Sequence, residues 1–556
     1  MKKKNIILIF SLFLILFMSV SAISAATADN VTSELNHNDG NLKTIESDDL
    51  SYSSHSTNEN ILSENSTATT PSISFSELSN QIKHNSKITL DSDVVYKSGD
   101  SSDGITIGKN MVINGNGHTI DAKSKARLFR VGTGYSITLS NVNIINGYIS
   151  GQSGGVILSS GTLKLTNCNF TNCNVVGSKC DGGAIAGSGA GTIINCNFDK
   201  CSATGYGGAA SSNGLKFKNC NFTNNVASNG GAIGGTVYLY GCYFENCIAT
   251  STADWKNDDN GGGACNGYIP KVESSVFINC KAPKAFGGAL RGTTNAYNCQ
   301  FDNCIAREGG AVGGKGTYES CTFKKCVATS LMGGALFTEK TTINKCKFIE
   351  CSATNSDGGA VFIGNNAKIT NCKFIRCKAP KGCGGAVYGN GVIEKCVFEK
   401  NSAKFGGAVS SYSITVKGST FTANKASKGG AAYNIKSLTS CTFNKNKATY
   451  GGAVCNAQNV ISSKFGDNSA KYGSVSYNDV NSVFKKVGIK NTINLIQGLF
   501  FNKKHKLSLT NSKIINSGKI NKYLNYNAGV FVYNKNTLQS TYKVKKIAGP
   551  KKARKK

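Results

Sequence analysis

The sequence predicts an all-β solenoid of about 16 stacked coils, each of 22–26 residues, opened by a short N-terminal capping helix. Three observations predict it. Gly-Gly-Ala occurs twelve times between Gly182 and Ala453, with successive starts 22 to 32 residues apart. A second mark keeps step with it: Cys168-Asn-Phe170-Thr-Asn-Cys173, Cys196-Asn-Phe198-Asp-Lys-Cys201, Cys321-Thr-Phe323-Lys-Lys-Cys326. Finally, a unit of this length is too long for one hairpin strand and carries no helical pattern, so it fits one coil of three short strands and three turns. A fixed period in this range signals an array in which each unit stacks on the next. Such an array grows in one dimension, so 556 residues need not mean several domains.

Taken in order, the chain opens with Lys2-Lys3-Lys4, an apolar run from Ile6 to Val20 and small residues up to Ala26. That is the layout of a secretory signal, 1–26, which places the chain outside the cell. The mature chain has no second apolar run long enough to span a bilayer. Residues 27–72 carry eight acidic groups and one Lys without apolar periodicity, and read as a disordered acidic spacer. Phe75, Leu78 and Ile82 then lie three and four apart, the spacing of a short amphipathic helix beginning at Ser74 or Ser76. Its expected role is to cover the open end of the solenoid. Short runs rich in Ile, Val, Leu and Thr follow, punctuated by Gly and Asn, and the repeats proper run from about Gly154 to Val475. The solenoid is expected over 73–480, with a basic cap and tail over 481–556. From Ser482 to Lys556 there are 18 Lys or Arg and no Asp or Glu.

Within a coil, strand alternation puts Cys168 and Phe170 on one face, the interior. The Phe of one coil then lies on the Phe of the next, and Cys168, Cys173, Cys196, Cys201, Cys321 and Cys326 join two interior ladders beside that column. Gly-Gly permits a backbone bend that bulkier residues resist.

The Gly-Gly-Ala-[Ile/Val/Leu] and Phe-x-x-Asn marks resemble the repeats of polymorphic outer-membrane proteins. The lead-in Ile113-Asn-Gly-Asn-Gly-His-Thr-Ile-Asp121 is similar to the opening coils of the adhesin-like right-handed parallel β-helix proteins of methanogens. The resemblance covers about residues 73–480 and implies a right-handed winding and an adhesive role at a cell surface. The chain departs from the bacterial relatives in its carboxy-terminal part. That part has no ladder of alternating ten-residue strands of a membrane barrel and finishes Lys551-Lys-Ala-Arg-Lys-Lys556.

The 22 cysteines raise the question of bridges or metal. Structural zinc wants four ligands gathered at one point, and these pairs are strung over many coils. Ser275, Ser419 and Ser463 replace the first Cys of the mark, and Asn225, Asn401, Asn424, Asn446 and Asn468 replace the second. Two readings stay open: an interior ladder of reduced, buried thiols, and disulfides between neighbouring coils, whose spacing is within bridging range. No metal or other cofactor is expected.

Parallel β-helices also serve polysaccharide lyases and glycoside hydrolases, which need carboxylates converging from adjacent coils. The repeats offer no Asp or Glu column in register, so no catalytic residue is assigned. The nearest approach to a site is the longest repeat, where an insertion holds Asp254, Trp255, Asp258 and Asp259. An aromatic beside carboxylates suits sugar binding, and insertions into solenoids often carry function. A solvated polar loop is the plainer reading of the same residues. The formal charge of +32 points to polyanionic partners. For an exported chain without a recognition module these are envelope polymer, or the surface glycans and proteins of other cells, rather than nucleic acid. The function expected is that of a secreted, surface-associated adhesin-like rod, with a lyase or hydrolase as the alternative.

Overall fold

A computed structural model describes residues 71–252, 260–491, 498–503, 505–516, 525–526 and 530–540, all within one compact unit, 69–556. The expected signal 1–26, the spacer up to 70, the insertion 253–259 and the tail beyond 540 lie outside the described residues.

Every strand pairing from Ser72 to Ser540 is parallel, between one coil and the next. Each repeat contributes to three faces. A long face starts just after Gly-Gly-Ala, as in Val361–Thr370 and Val387–Glu394, and belongs to a sheet of 33 strands. A phenylalanine face is made of three-residue strands such as Asn169–Thr171 and Thr322–Lys324, in a sheet of 20 strands. An alanine face of short strands, such as Ile305–Glu308 and Ser402–Phe405, closes the coil. The unit is a right-handed parallel β-helix of about 18 turns, rather than the 16 counted from the motifs. Coils at both ends add to the stack without carrying the marks.

The capping helix, α1, spans Phe75–His84. Ser74 caps it reciprocally with Glu77, and the Asp100 carboxylate accepts from the backbone amides of Phe75 and Ser76. Those contacts satisfy amides that the first helical turn leaves without partners. Phe75, Leu78 and Ile82 are buried on the first coils.

Because the coils are in register, one interior column runs the whole length. It begins with Ile73, Val94, Ile120 and Ile144, continues through thirteen phenylalanines from Phe170 to Phe465, and ends in Ile489, Ile514 and Leu538. Successive Phe rings are 4.7 to 5.0 Å apart and within 9° of parallel. Strand spacing in a sheet is about 4.8 Å, which matches the close end of the range at which aromatic rings attract.

Two corners flank each phenylalanine strand, and each turns on one residue in the left-handed region. Asn167 and Asn172, Ser320 and Lys325, Asn371 and Arg376 are such pairs, all with φ between 52° and 58°. That conformation costs a non-glycine residue about 1–3 kcal/mol and persists only where the surroundings over-determine it. The five-residue gap between the two corners sets the Cys-x-Phe-x-x-Cys spacing, since the residue after each corner points inward.

The third corner is the Gly-Gly pair, and each glycine is required for a different reason. Gly309 has φ +60°. At Gly310 a β-carbon would lie against the Gly334 carbonyl of the next coil and 2.5 Å from the Val327 nitrogen. Replacing Gly310 by Ala should therefore cost roughly 1–3 kcal/mol through overpacking, and Phe323→Ala about 3–5 kcal/mol through the cavity in the column. Urea unfolding followed by circular dichroism reads both. Midpoints unchanged from wild type would contradict the packing described.

Candidate binding groove

The interior ladders come first, because they hold nearly all the reactive side chains. Cys168, Phe170, Cys173, Cys196, Phe198, Cys201, Cys321, Phe323 and Cys326 are buried, and all 22 cysteines are free thiols. Their surroundings explain why Cys, Ser and Asn interchange there. The Cys168 thiol donates to the Thr166 carbonyl at 3.3 Å and to Leu139 of the preceding coil at 3.6 Å, and the Cys196 sulfur accepts from the Cys168 amide at 3.4 Å. Ser275 Oγ donates to the Glu273 carbonyl at 3.0 Å and accepts from the Cys242 amide at 3.1 Å. Asn401 Nδ2 donates to the Phe374 carbonyl at 3.0 Å, while its Oδ1 accepts from the Cys377 amide at 2.9 Å. Each left-handed corner leaves a carbonyl and an amide directed inward, and a short donor–acceptor side chain satisfies both, as buried backbone groups demand. The ladders are structural.

Burial without a neighbouring cation disfavours a thiolate. It pushes Cys201, Cys304 and Cys326 well above the usual thiol range and Cys441 up to about 11. Cys383 is half-buried, and burial together with the Asp357 carboxylate pushes it up to about 12. Among the described residues no group of three or more His, Cys, Asp or Glu converges as a metal site.

The insertion residues Asp254, Trp255, Asp258 and Asp259 lie outside the described residues. The loop is closed at its base, where Asn260 Nδ2 donates to the Thr252 carbonyl at 2.9 Å. It enters the coil immediately before the Gly262-Gly263 corner.

That corner builds a feature the motif reading missed. Outward side chains on two faces that meet at a convex corner diverge, but here they meet. Tyr450, just before its Gly-Gly pair, contacts Tyr477 of the long face with ring centroids 5.1 Å apart at 69°. Tyr472 meets Phe501 at 5.6 Å and 76°, and Phe405 meets Tyr433 at 5.4 Å. The Gly-Gly corner is therefore re-entrant, and a groove follows it from coil to coil. One wall carries Phe405, Lys428, Tyr450 and Tyr472 in register. The other carries Tyr433, Cys455, Tyr477 and Phe501. Tyr477 and Phe501 are 8% exposed and form the floor, whereas Phe405, Tyr433, Tyr450 and Tyr472 remain half-exposed. Further toward the N-terminus the same two columns hold Phe286, Arg291, Phe337, Phe362 and Tyr388, with the Arg291 guanidinium 5.0 Å from the Phe286 ring. Aligning the repeats on Gly-Gly and reading the residue before it and the second after Ala would have exposed both columns.

Asn143, Asn169, Asn197 and Asn221 form a separate external ladder on the phenylalanine face, with amide-to-carbonyl distances of 2.7, 2.7 and 2.8 Å. Glycosylation of Asn169 or Asn221, both in Asn-Phe-Thr, would break it.

A family model described as a right handed beta helix region matches residues 311–469. The comparison with curated proteins gave no match. Among solved structures, a mannuronic acid specific polysaccharide family 6 lyase from human gut microbiota shows 10% identity over 67% of this chain and 86% of its own, with a TM-score of 0.29. The catalytic domain of a GH87 alpha-1,3-glucanase shows 11% identity over 66% and 62%, with a TM-score of 0.18. A tailspike protein of E. coli bacteriophage HK620 shows 11% over 79% and 71%, with a TM-score of 0.16. At these scores the likenesses carry no argument about what this chain does.

Burial of the thiols makes a direct expectation. Native protein treated with iodoacetamide at neutral pH should leave its cysteines unmodified, and urea without reductant should release 22 reactive thiols by mass spectrometry. A shortfall in pairs after denaturation would show bridges between coils instead.

Proposed function

We propose that the chain is an exported, surface-associated adhesin-like protein, whose solenoid presents one groove and three repetitive faces for multivalent attachment to envelope polymer or to glycans. The observation that carries this reading is the uniformity of the stack: the same two groove columns recur in register over successive coils. A partner that is itself a repeating polymer would meet contacts at the same interval rung after rung, so weak single contacts add into avidity. Uniformity also argues against a single reactive centre. Several described carboxylates on the surface sit with cations, as in Arg376–Glu350 at 2.8 Å, Lys271–Glu273 at 2.7 Å and Lys324–Asp302 at 3.3 Å. No helix among the described residues is long and apolar enough to cross a membrane. Retention at the cell is assigned to the basic segment after Ser482, attracted to an anionic envelope.

The test is a pull-down of residues 27–556 on isolated cell envelopes and a polysaccharide panel, at low and high salt, with the supernatant assayed for new sugar ends. The expected result is retention without released sugar, weakened by salt because exposed charges are screened. Newly released sugar ends would replace this reading with a lyase or hydrolase on the same scaffold.

A further inference from the structure

We infer that the groove between Phe405 and Phe501 is a binding site for a linear acidic polysaccharide. The inference rests on the attachment role proposed above and specifies where on the molecule the ligand lies and what chemistry it has.

Three features point to this class. The first is an aromatic surface at sugar-ring spacing. Tyr450 and Tyr472 stack at 5.0 Å, so a chain lying along the groove meets a ring edge at each of these rungs, above a floor of Tyr477 and Phe501. The exposed ring edges offer the C–H groups of a sugar an apolar contact while its hydroxyls stay in water. The second is the rim. Lys404 and Lys428 hold their ammonium groups 5.5 and 5.6 Å from the Phe405 ring, and Lys471 holds its own 5.3 Å from Tyr472. None of the three is paired with a carboxylate among the described residues. The third is the field around the groove. Residues 401–490 contain twelve Lys, no Arg, and only Asp467 and Asp479 as acids. Asp479 lies close enough to Tyr477 and Cys455 to help raise both, and with Cys455 it is the opposing group at the floor. Three unpaired ammoniums on the rim exceed that single carboxylate.

A neutral glycan would use the rings and ignore the rim. An acidic peptide would use the rim, but its side chains have no reason to repeat at the rung spacing. A polymer of acidic sugars uses both, with each carboxylate, sulfate or phosphate reaching an ammonium while the sugar lies along the aromatic edges.

The probe is polygalacturonate, with its fully methyl-esterified form as the uncharged counterpart, titrated against the full mature chain by calorimetry at low salt. Wild type should bind the acid form at least tenfold more tightly than the ester. The pair Tyr450→Ala with Tyr472→Ala should weaken binding tenfold or more, Tyr450→Phe with Tyr472→Phe should restore it, and Lys428→Gln with Lys471→Gln should remove most of the salt dependence. A control replacing Lys347 and Lys373, exposed on the phenylalanine face, by Gln should bind as wild type does. Circular dichroism of each variant separates lost binding from lost fold. Equal binding of acid and ester, or loss confined to the Lys347 and Lys373 control, overturns the inference. So does absence of binding by wild type. In that case retention on cell envelopes leaves the attachment role standing, and its absence removes both.

Discussion

Everything in this solenoid depends on one constraint: each coil must lie on the next at the hydrogen-bonding distance of a parallel sheet. Once that spacing is imposed, any residue is stacked on its counterpart, and a choice made in one coil is repeated in all. Phenylalanine tolerates the arrangement, because rings at 4.7 to 5.0 Å attract. A β-carbon on the second glycine of the Gly-Gly corner does not, because the carbonyl of the next coil occupies the space. The inward corner positions after Asn167, Ser320 and Asn371 must hold a side chain that both donates and accepts, and thiol, hydroxyl and amide all satisfy this. The repeat motif is the chemical record of the stacking distance.

Much of the architecture is legible for that reason. Gly-Gly-Ala and Cys-x-Phe-x-x-Cys mark the residues that fail if replaced, so they persist where the surface drifts, and Ser74 with Glu77 marks the start of α1 in the same direct way. The coils outside the marks were harder to read. Ile144 and Ile489 occupy the same column as Phe170 and Phe465, yet an aliphatic residue in a short apolar run carries no punctuation. This is why the count of about 16 falls short of the turns present. The replacement of the second Cys of the mark by Asn was readable as a ladder, with Asn401, Asn424, Asn446 and Asn468 in sequence, but its cause was not. The stranded carbonyls appear only when the corners are seen to be left-handed.

The groove was the least legible part. Whether a corner bends outward or inward depends on the sense of the backbone turn, and no periodicity encodes it. Tyr450 and Tyr472 belong to neither sequence mark, and only their contacts with Tyr477 and Phe501 reveal a shared trough. The insertion carrying Trp255 was the more conspicuous candidate because it interrupts the period. Its base, closed between Thr252 and Asn260, comes just before Gly262-Gly263 in the chain. The interior ladders, dense with nucleophilic sulfur, are the opposite case: abundant chemistry made inert by burial and by their duty to the backbone.

The central claim is that each coil owes its stability to its two neighbours and to nothing farther away, as in other solenoids. Deleting one complete coil, residues 406–428, tests it most directly, because Phe405 is then followed by Gly429-Gly430-Ala431 and the register is kept. The expected product is a folded, cooperatively melting protein with the far-ultraviolet spectrum of the parent, while deletion of half that segment should abolish folding of the coils around it. If removing the whole coil unfolds the chain as severely as removing half of it, the stack is not built rung upon rung and the claim fails.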